Sequence, residues 1–123
     1  MENNMVNWFE IPVTDMARAK KFYTAVFGRE LTDAAMPGME MAMFPWTQGA
    51  PHAAGCIIKA DGFQPSATAT AVYFLCDDVA NESGRIEQNG GKILVPKFSL
   101  GDWGFAAHFL DSEGNRLGLH STK

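Results

Sequence analysis

Three histidines and two cysteines are the side chains of this 123-residue sequence best suited to metal binding or nucleophilic chemistry. His52 lies in a loop-forming stretch, and His120 lies near the C-terminus. His108 lies in a predicted strand whose odd and even positions are both apolar, so the pattern does not show which face it is on. Cys56 and Cys76 each lie inside an apolar run without CxxC or zinc-type spacing, which indicates buried thiols of a reducing compartment. The sequence contains no G-x-S-x-G motif, no readable Cys–His pair and no glycine-rich loop between a strand and a helix. Local motifs alone therefore define no catalytic centre.

A strand and a helix open the series of elements that must position these residues. Val6 to Val13 alternates with a period of two, which predicts a strand. From Met16 to Phe27, apolar residues recur every three or four positions, and Gly28 then follows, as is typical of a helix that ends at a left-handed glycine. Thr14 or Asp15 is the candidate N-cap. Three further strands are predicted in the first half, near residues 29–34, 39–44 and 53–59.

The second half of the chain repeats this order of elements. It predicts a strand at 70–76, a helix at 79–89, and strands near 92–98, 103–110 and 115–120, with a tight turn at 111–114. Asp78 at the start of the second helix lies 63 positions after Asp15, and Gly90-Gly91 matches Phe27-Gly28. Two copies at this spacing indicate an internal duplication.

The repeat predicts one α+β domain, residues 1–123, built from two βαβββ units. The units span about 6–60 and 69–121, and a linker at 61–68 joins them. Two such units would curl a mixed sheet into a half-open barrel with the helices outside. The concave inner face is where a ligand would bind.

Four stretches of this sequence resemble the vicinal oxygen chelate superfamily, which includes glyoxalase I, extradiol dioxygenases and the bleomycin- and fosfomycin-resistance proteins. They are F-E-I-P-V-T-D-M-A-R-A-K-K-F-Y at 9–23, V-F-G at 26–28, E-Q-N-G-G at 87–91 and F-L-D-S-E-G-N-R-L at 109–117. The resemblance covers nearly the whole chain, but these motifs are packing and turn signals that say little about chemistry. It implies a divalent metal, held on the concave face by His and Glu from the first and last strand of each half.

The positions that match those ligands hold no metal-binding side chain. The first, seven residues before the aspartate of the first helix start, is Trp8, and internal symmetry places its counterpart at Ala71. The last-strand position, four residues after the hairpin glycine, is Gly118. Symmetry gives Gly55 as its partner, or Ile57 if the register slips by two. We therefore predict that the usual metal site is absent and that no cofactor is bound, unless a metal site is displaced.

A displaced metal site is the alternative. Glu10 lies two residues after Trp8 and His120 two residues after Gly118, so both share the parity of the replaced positions. His120 with Glu10, or with His108, would hold Ni, Zn, Mn or Fe for a glyoxalase- or dioxygenase-like reaction. If neither residue binds a metal, we expect Glu10 to pair with a neighbouring Lys or Arg and His120 to be half exposed near the C-terminus.

The favoured interpretation is a metal-free member of the superfamily that binds a small apolar or aromatic molecule in the concave cavity. A third possibility is a structural module whose cavity is closed by an indole. Family members of this size usually pair, so we expect a homodimer whose contact includes the methionines at 39, 41 and 43. The residues predicted to line the ligand site are Trp8, Glu10, Gly55, Ala71, Tyr73, Gly118 and His120.

Charge and hydropathy exclude other classes of partner. The net charge is −4, with no basic face, so neither nucleic acid nor an anionic membrane is expected as a partner. No apolar run approaches the roughly 20 residues of a membrane span. No signal-peptide pattern is visible, and the predicted location is the cytoplasm.

Overall fold

Two four-stranded mixed sheets and two α-helices make up the fold in the computed structural model, which describes residues 3–123. The strands are β1 (Trp8–Pro12), β2 (Thr32–Met36), β3 (Met39–Met43), β4 (Ala54–Ala60), β5 (Tyr73–Leu75), β6 (Lys92–Ser99), β7 (Phe105–Leu110) and β8 (Arg116–Ser121), and the helices are α1 (Met16–Phe27) and α2 (Val79–Ile86). The sheet orders are β1-β4-β3-β2 and β5-β8-β7-β6. In both sheets the first strand of the half pairs in parallel with the last, and the remaining pairs are antiparallel. The predicted α+β fold with two βαβββ repeats is confirmed.

Both α-helices begin and end largely where the sequence predicts. The Asp15 carboxylate accepts a hydrogen bond from the Arg18 backbone N–H, and Asp78 caps the second helix in the same way. Gly28 ends the first helix with a left-handed φ of 70°. The second helix gives way after Ile86 to a 3₁₀ turn at Glu87–Asn89, earlier than predicted. No helix among residues 3–123 is long and apolar enough to cross a membrane.

Four strands differ from their predicted bounds by two or more residues, and one of them is β1, which begins at Trp8 rather than Val6. β2 lies two to three residues later than predicted, because the Pro37-Gly38 turn pairs Met36 with Met39 and so sets its register. β5 is shorter than predicted, since it is an edge strand that pairs only with β8. Trp103 lies in a 3₁₀ turn before β7 rather than in the strand.

The hydrophobic core lies between the helices and one face of each sheet. Ile11 and Ile57 of the first sheet and Phe109 of the second belong to it, together with Phe22 of α1 and Ile86 of α2. We call the opposite face of each sheet its open face. Three large side chains at the open faces stay 38, 49 and 63% exposed: Trp8, Tyr73 and Leu75.

The turn between β7 and β8 connects the second half of the chain to the first. The buried Asp111 carboxylate accepts hydrogen bonds from Tyr23 Oη at 2.5 Å and from the Asn115 backbone N–H at 2.9 Å. Asn115 Nδ2 donates to the carbonyl oxygen of Pro12 at 2.7 Å. Burial is the main cause that raises the pKa of Tyr23 well above its usual value, so its hydroxyl remains a donor. The D-S-E-G-N stretch thus fixes the two halves against each other.

Glu113 of the same turn binds the start of α1. Its carboxylate accepts from the backbone N–H groups of Thr14 and Asp15, both at 2.9 Å, and from Arg18 Nε at 2.7 Å. Burial alone would raise the pKa of Glu113, but these hydrogen bonds outweigh it and lower the pKa to about 2. The stability that this carboxylate contributes is therefore present above its ordinary pKa of 4.5 and is lost as the pH falls towards 2.

We expect Glu113→Gln to lower the free energy of unfolding by about 2 kcal/mol at neutral pH, a value discounted for the exposed Arg18 partner. The difference from wild type should shrink as the pH falls, because the wild-type carboxylate then becomes protonated. Urea unfolding of both proteins from pH 7 to pH 3 measures this. A difference that stays constant with pH would contradict the assigned role of the charge.

Candidate functional site

Five of the seven predicted site residues lie on the open faces. Trp8 and Glu10 lie on the open face of the first sheet, and Tyr73, Gly118 and His120 on that of the second. Ala71 is exposed and lies two residues before β5. The pairing of β5 with β8 extends towards it, because the Gly118 backbone N–H donates to the Val72 carbonyl oxygen. Gly55 is the exception.

The prediction that Gly55 faces the cavity is wrong. β1 and β4 are parallel, and Gly55 pairs with Phe9, so both lie on the helix side of the sheet. A Cβ on Gly55 would lie 2.5 Å from the Phe9 carbonyl oxygen and 2.5 Å from its ring. The alternative, Ile57, is also wrong, because it shares this face and lies in the core.

Strand register explains the error and identifies Cys56 as the missing counterpart. Glu10 pairs with Cys56 as Tyr73 pairs with Gly118, and Glu10 and Tyr73 are equivalent in the repeat. Equivalent positions of β4 and β8 are therefore 62 residues apart in the sequence, rather than the 63 that separate the two helix starts. A difference of one residue exchanges the two faces of a strand. Burial, followed by the charge of Glu10, raises the pKa of the Cys56 thiol to about 11.

The donor set does not fit the family's metal. The four positions hold Trp8, Cys56, Ala71 and Gly118, so only the Cys56 sulfur could ligate a metal, whereas the family's site needs several oxygen and nitrogen donors. Nor do three His, Cys, Asp or Glu side chains gather as a metal site anywhere in residues 3–123.

Glu10 and His120, the candidates for a displaced metal site, lie on different sheets and have other partners. Glu10 Oε2 accepts a hydrogen bond from Trp8 Nε1 at 3.4 Å. His120 Nε2 lies 2.7 Å from the carbonyl oxygen of Trp103 and must donate to it, because a carbonyl only accepts. That nitrogen is therefore not available as a metal ligand.

Tyr73 fills the space beside Gly118. A Cβ on Gly118 would clash with the Tyr73 ring, so the ring covers the strand where a longer side chain would stand. The Tyr73 hydroxyl lies 2.8 Å from His108 Nε2, and Arg116 Nη2 lies 2.9 Å from His108 Nδ1. The ring of Phe98 packs edge-on against His108 with centroids 5.6 Å apart.

Sequence reasoning left the face of His108 ambiguous and did not connect it to Tyr73. β7 is apolar at both parities, so periodicity gives no answer. Counting across the β7–β8 hairpin would have settled it, because a turn that pairs Leu110 with Arg116 also pairs His108 with Gly118. Burial, followed by the charge of Arg116, lowers the pKa of His108 below its usual value.

A hollow of about 580 Å³ opens at the β2–β3 turn. Its lining includes Met36, Met39, Lys59 and Phe63, and it includes none of the seven predicted site residues. Met36 and Met39 share the open face of the first sheet with Met41, whereas Lys59 has the parity of the core residue Ile57, so the hollow lies at the end of the sheet between its two faces.

The family is established by the sequence comparison. The model of the Glyoxalase/Bleomycin resistance protein/Dioxygenase superfamily matches residues 5–119, and the chain belongs to that superfamily. CFP32 of Mycobacterium bovis and Mycobacterium tuberculosis, provisionally named a glyoxylase, is 29% identical over 126 residues, which cover 92% of this chain and 44% of CFP32. This chain thus spans less than half the length of those relatives.

Solved structures share the fold. TnmS3, an antibiotic-binding protein from Streptomyces sp. CB03234, has a TM-score of 0.70 and 27% identity, covering 100% of this chain and 99% of its own. Glyoxalase I from Zea mays has a TM-score of 0.74 and 22% identity, covering 94% of this chain and 45% of the maize chain. At that identity the maize enzyme supports the fold alone.

Proposed function

We propose that this protein is a metal-free member of the superfamily that binds a small planar aromatic molecule against the open faces of its sheets. One observation carries the proposal: the four positions matching the family's metal ligands hold one indole and three small side chains, at Trp8, Cys56, Ala71 and Gly118. The Trp8 indole and the Tyr73 ring, which covers Gly118, offer flat apolar surfaces on which an aromatic molecule can stack.

The exposure of the aromatic groups supports this proposal. Trp8 and Tyr73 are 38 and 49% exposed on the two open faces, although burying large aromatic side chains is strongly favourable. Exposed aromatic side chains are suited to stacking against a flat molecule. The similarity to TnmS3 over its whole length also favours ligand binding, and sequestration is the role we propose.

A second copy of the chain is proposed to complete the site. Leu75, 63% exposed, extends the apolar surface of the second sheet beside Tyr73, and the methionines of β3 extend that of the first. CFP32 and the maize enzyme are more than twice as long as the segment that matches this chain, so each has room for a second unit of the same size. A homodimer would place two such faces opposite each other. The two free, buried cysteines fit the cytoplasm as its location.

The rival function is a glyoxalase- or dioxygenase-like reaction at a displaced metal, and no contact of Glu10 or His120 favours it. The two functions differ in what stabilises the folded protein, because a ligand that binds only the native state raises its stability. A thermal-shift series separates the two functions: one arm contains Ni, Zn, Mn and Fe salts, and the other contains 9-fluorenone, a planar tricyclic aromatic ketone. Stabilisation by an ion alone would contradict the proposal.

Trp8→Ala is expected to weaken binding of 9-fluorenone, a planar tricyclic ketone, by about tenfold or more, because it removes the stacking surface. Trp8→Phe is the matched control and should retain most of the affinity. Equilibrium dialysis measures both constants. Equal affinities for wild type and Trp8→Ala would show that the indole does not belong to the site.

A further inference from the structure

A chain of three polar side chains crosses the open face of the second sheet, and its hydrogen-bond directions are fixed. Arg116 has only donors, so the Nδ1 atom of His108, 2.9 Å from Arg116 Nη2, must be the acceptor. His108 then carries its proton on Nε2 and donates it to the Tyr73 hydroxyl oxygen, 2.8 Å away. The hydroxyl proton of Tyr73 is not used within this chain of bonds.

The surroundings of the three residues agree with these directions. Burial and the adjacent guanidinium disfavour a charged His108, so the imidazole is neutral, as acceptance at Nδ1 requires. Arg116 is half-buried, and among residues 3–123 no carboxylate lies within 4.0 Å of its guanidinium. The positive charge therefore polarises the imidazole and, through it, the phenol.

The position of Tyr73 leaves much of the residue open to a ligand. Tyr73 is 49% exposed, and its ring rests on Gly118, where any Cβ would displace it. The ring lies across β8, so its hydroxyl reaches His108 of β7 on the open face of the sheet.

The geometry points to Tyr73 as the hydrogen-bond donor that selects the ligand, with His108 and Arg116 as its positioning residues. The ligand class is a planar aromatic molecule that carries an electron-rich oxygen, such as a ketone, quinone or phenolate oxygen. This inference rests on the proposed function and adds to it the polar group by which an aromatic ligand is recognised. A donor held in one direction by two further groups costs little reorganisation on binding.

Two flat tricyclic compounds that differ by one carbonyl group, 9-fluorenone and fluorene, test the inference. In equilibrium dialysis the wild-type protein should bind 9-fluorenone about tenfold more tightly than fluorene, the factor expected for one well-placed hydrogen bond. Tyr73→Phe should abolish that preference, so that both compounds bind with similar affinity. Arg116→Gln should reduce the preference, because glutamine can accept as well as donate and no longer fixes the imidazole.

Nitrogen-15 NMR of the histidines provides a readout that needs no ligand. Wild-type His108, assigned through the loss of its signals in His108→Gln, should be neutral with its proton on Nε2. A proton on Nδ1 of His108, or an imidazolium at neutral pH, would contradict the assigned directions of the Arg116–His108–Tyr73 hydrogen bonds. Equal affinities of wild type for the two compounds would overturn the inference while the binding function stands. Failure of both compounds to bind would instead contradict the proposed function, and the inference with it.

Discussion

Replacing Asp111 by alanine is expected to lower the free energy of unfolding by about 4 kcal/mol. The carboxylate is only 3% exposed, and it accepts from Tyr23 Oη, from the backbone N–H groups of Glu113 and Asn115, and from Asn115 Nδ2. The substitution leaves the Tyr23 hydroxyl and the two backbone N–H groups without this acceptor, while Asn115 Nδ2 keeps only the Pro12 carbonyl, and each unsatisfied buried donor is costly. It also frees the turn that fixes the second half of the chain to β1 and α1.

Urea unfolding at neutral pH measures this loss, and two matched variants define its origin. Tyr23→Phe removes one of the four bonds and should cost about 1–2 kcal/mol. Asp33→Ala removes an aspartate whose single ion pair, with Lys20 at 2.7 Å, is exposed, and it should cost about 0.5 kcal/mol. A cost for Asp111→Ala no larger than that of Asp33→Ala would show that the turn does not hold the halves together.

Gly55→Ala is the second large effect, and we expect it to destabilise the protein by about 3 kcal/mol. The new methyl group would lie 2.5 Å from the Phe9 carbonyl oxygen, which is held in the β1–β4 ladder and cannot move aside. The clash is therefore with backbone inside the core, and the cost falls on folding.

Gly118→Ala is the control, because its methyl group meets the Tyr73 ring rather than backbone. A half-exposed side chain can rotate away, so the stability cost should be about 1 kcal/mol or less. The ring would then leave its place and 9-fluorenone would bind more weakly. Equal stability costs for the two glycines would contradict the assignment of Gly55 to the helix side and Gly118 to the open face.

Much of this fold could be predicted from the sequence because its signals are local. Asp15 and Gly28 mark the ends of α1 by the hydrogen bonds and the φ angle that a helix terminus requires. The Pro37-Gly38 and Asp111–Asn115 turns define two hairpins. The equivalence of the two halves follows from these same signals.

The site was only partly predictable, because it depends on register between strands far apart in sequence. Trp8 and Tyr73 could be placed on the open faces from alternation within their own strands. Gly55 could not, because the loop lengths differ between the halves and symmetry then misplaces β4 by one residue. The hydrogen-bonded chain through His108 depends on side-chain geometry that periodicity does not contain.

Native mass spectrometry of the purified protein with 9-fluorenone and with a nickel or zinc salt distinguishes a metal-free aromatic-binding dimer from a metal-dependent enzyme. We expect a species of twice 13.4 kDa that gains the mass of 9-fluorenone and retains no ion in stoichiometric amount. A species that holds one metal ion per chain and does not take up the aromatic compound would contradict this expectation.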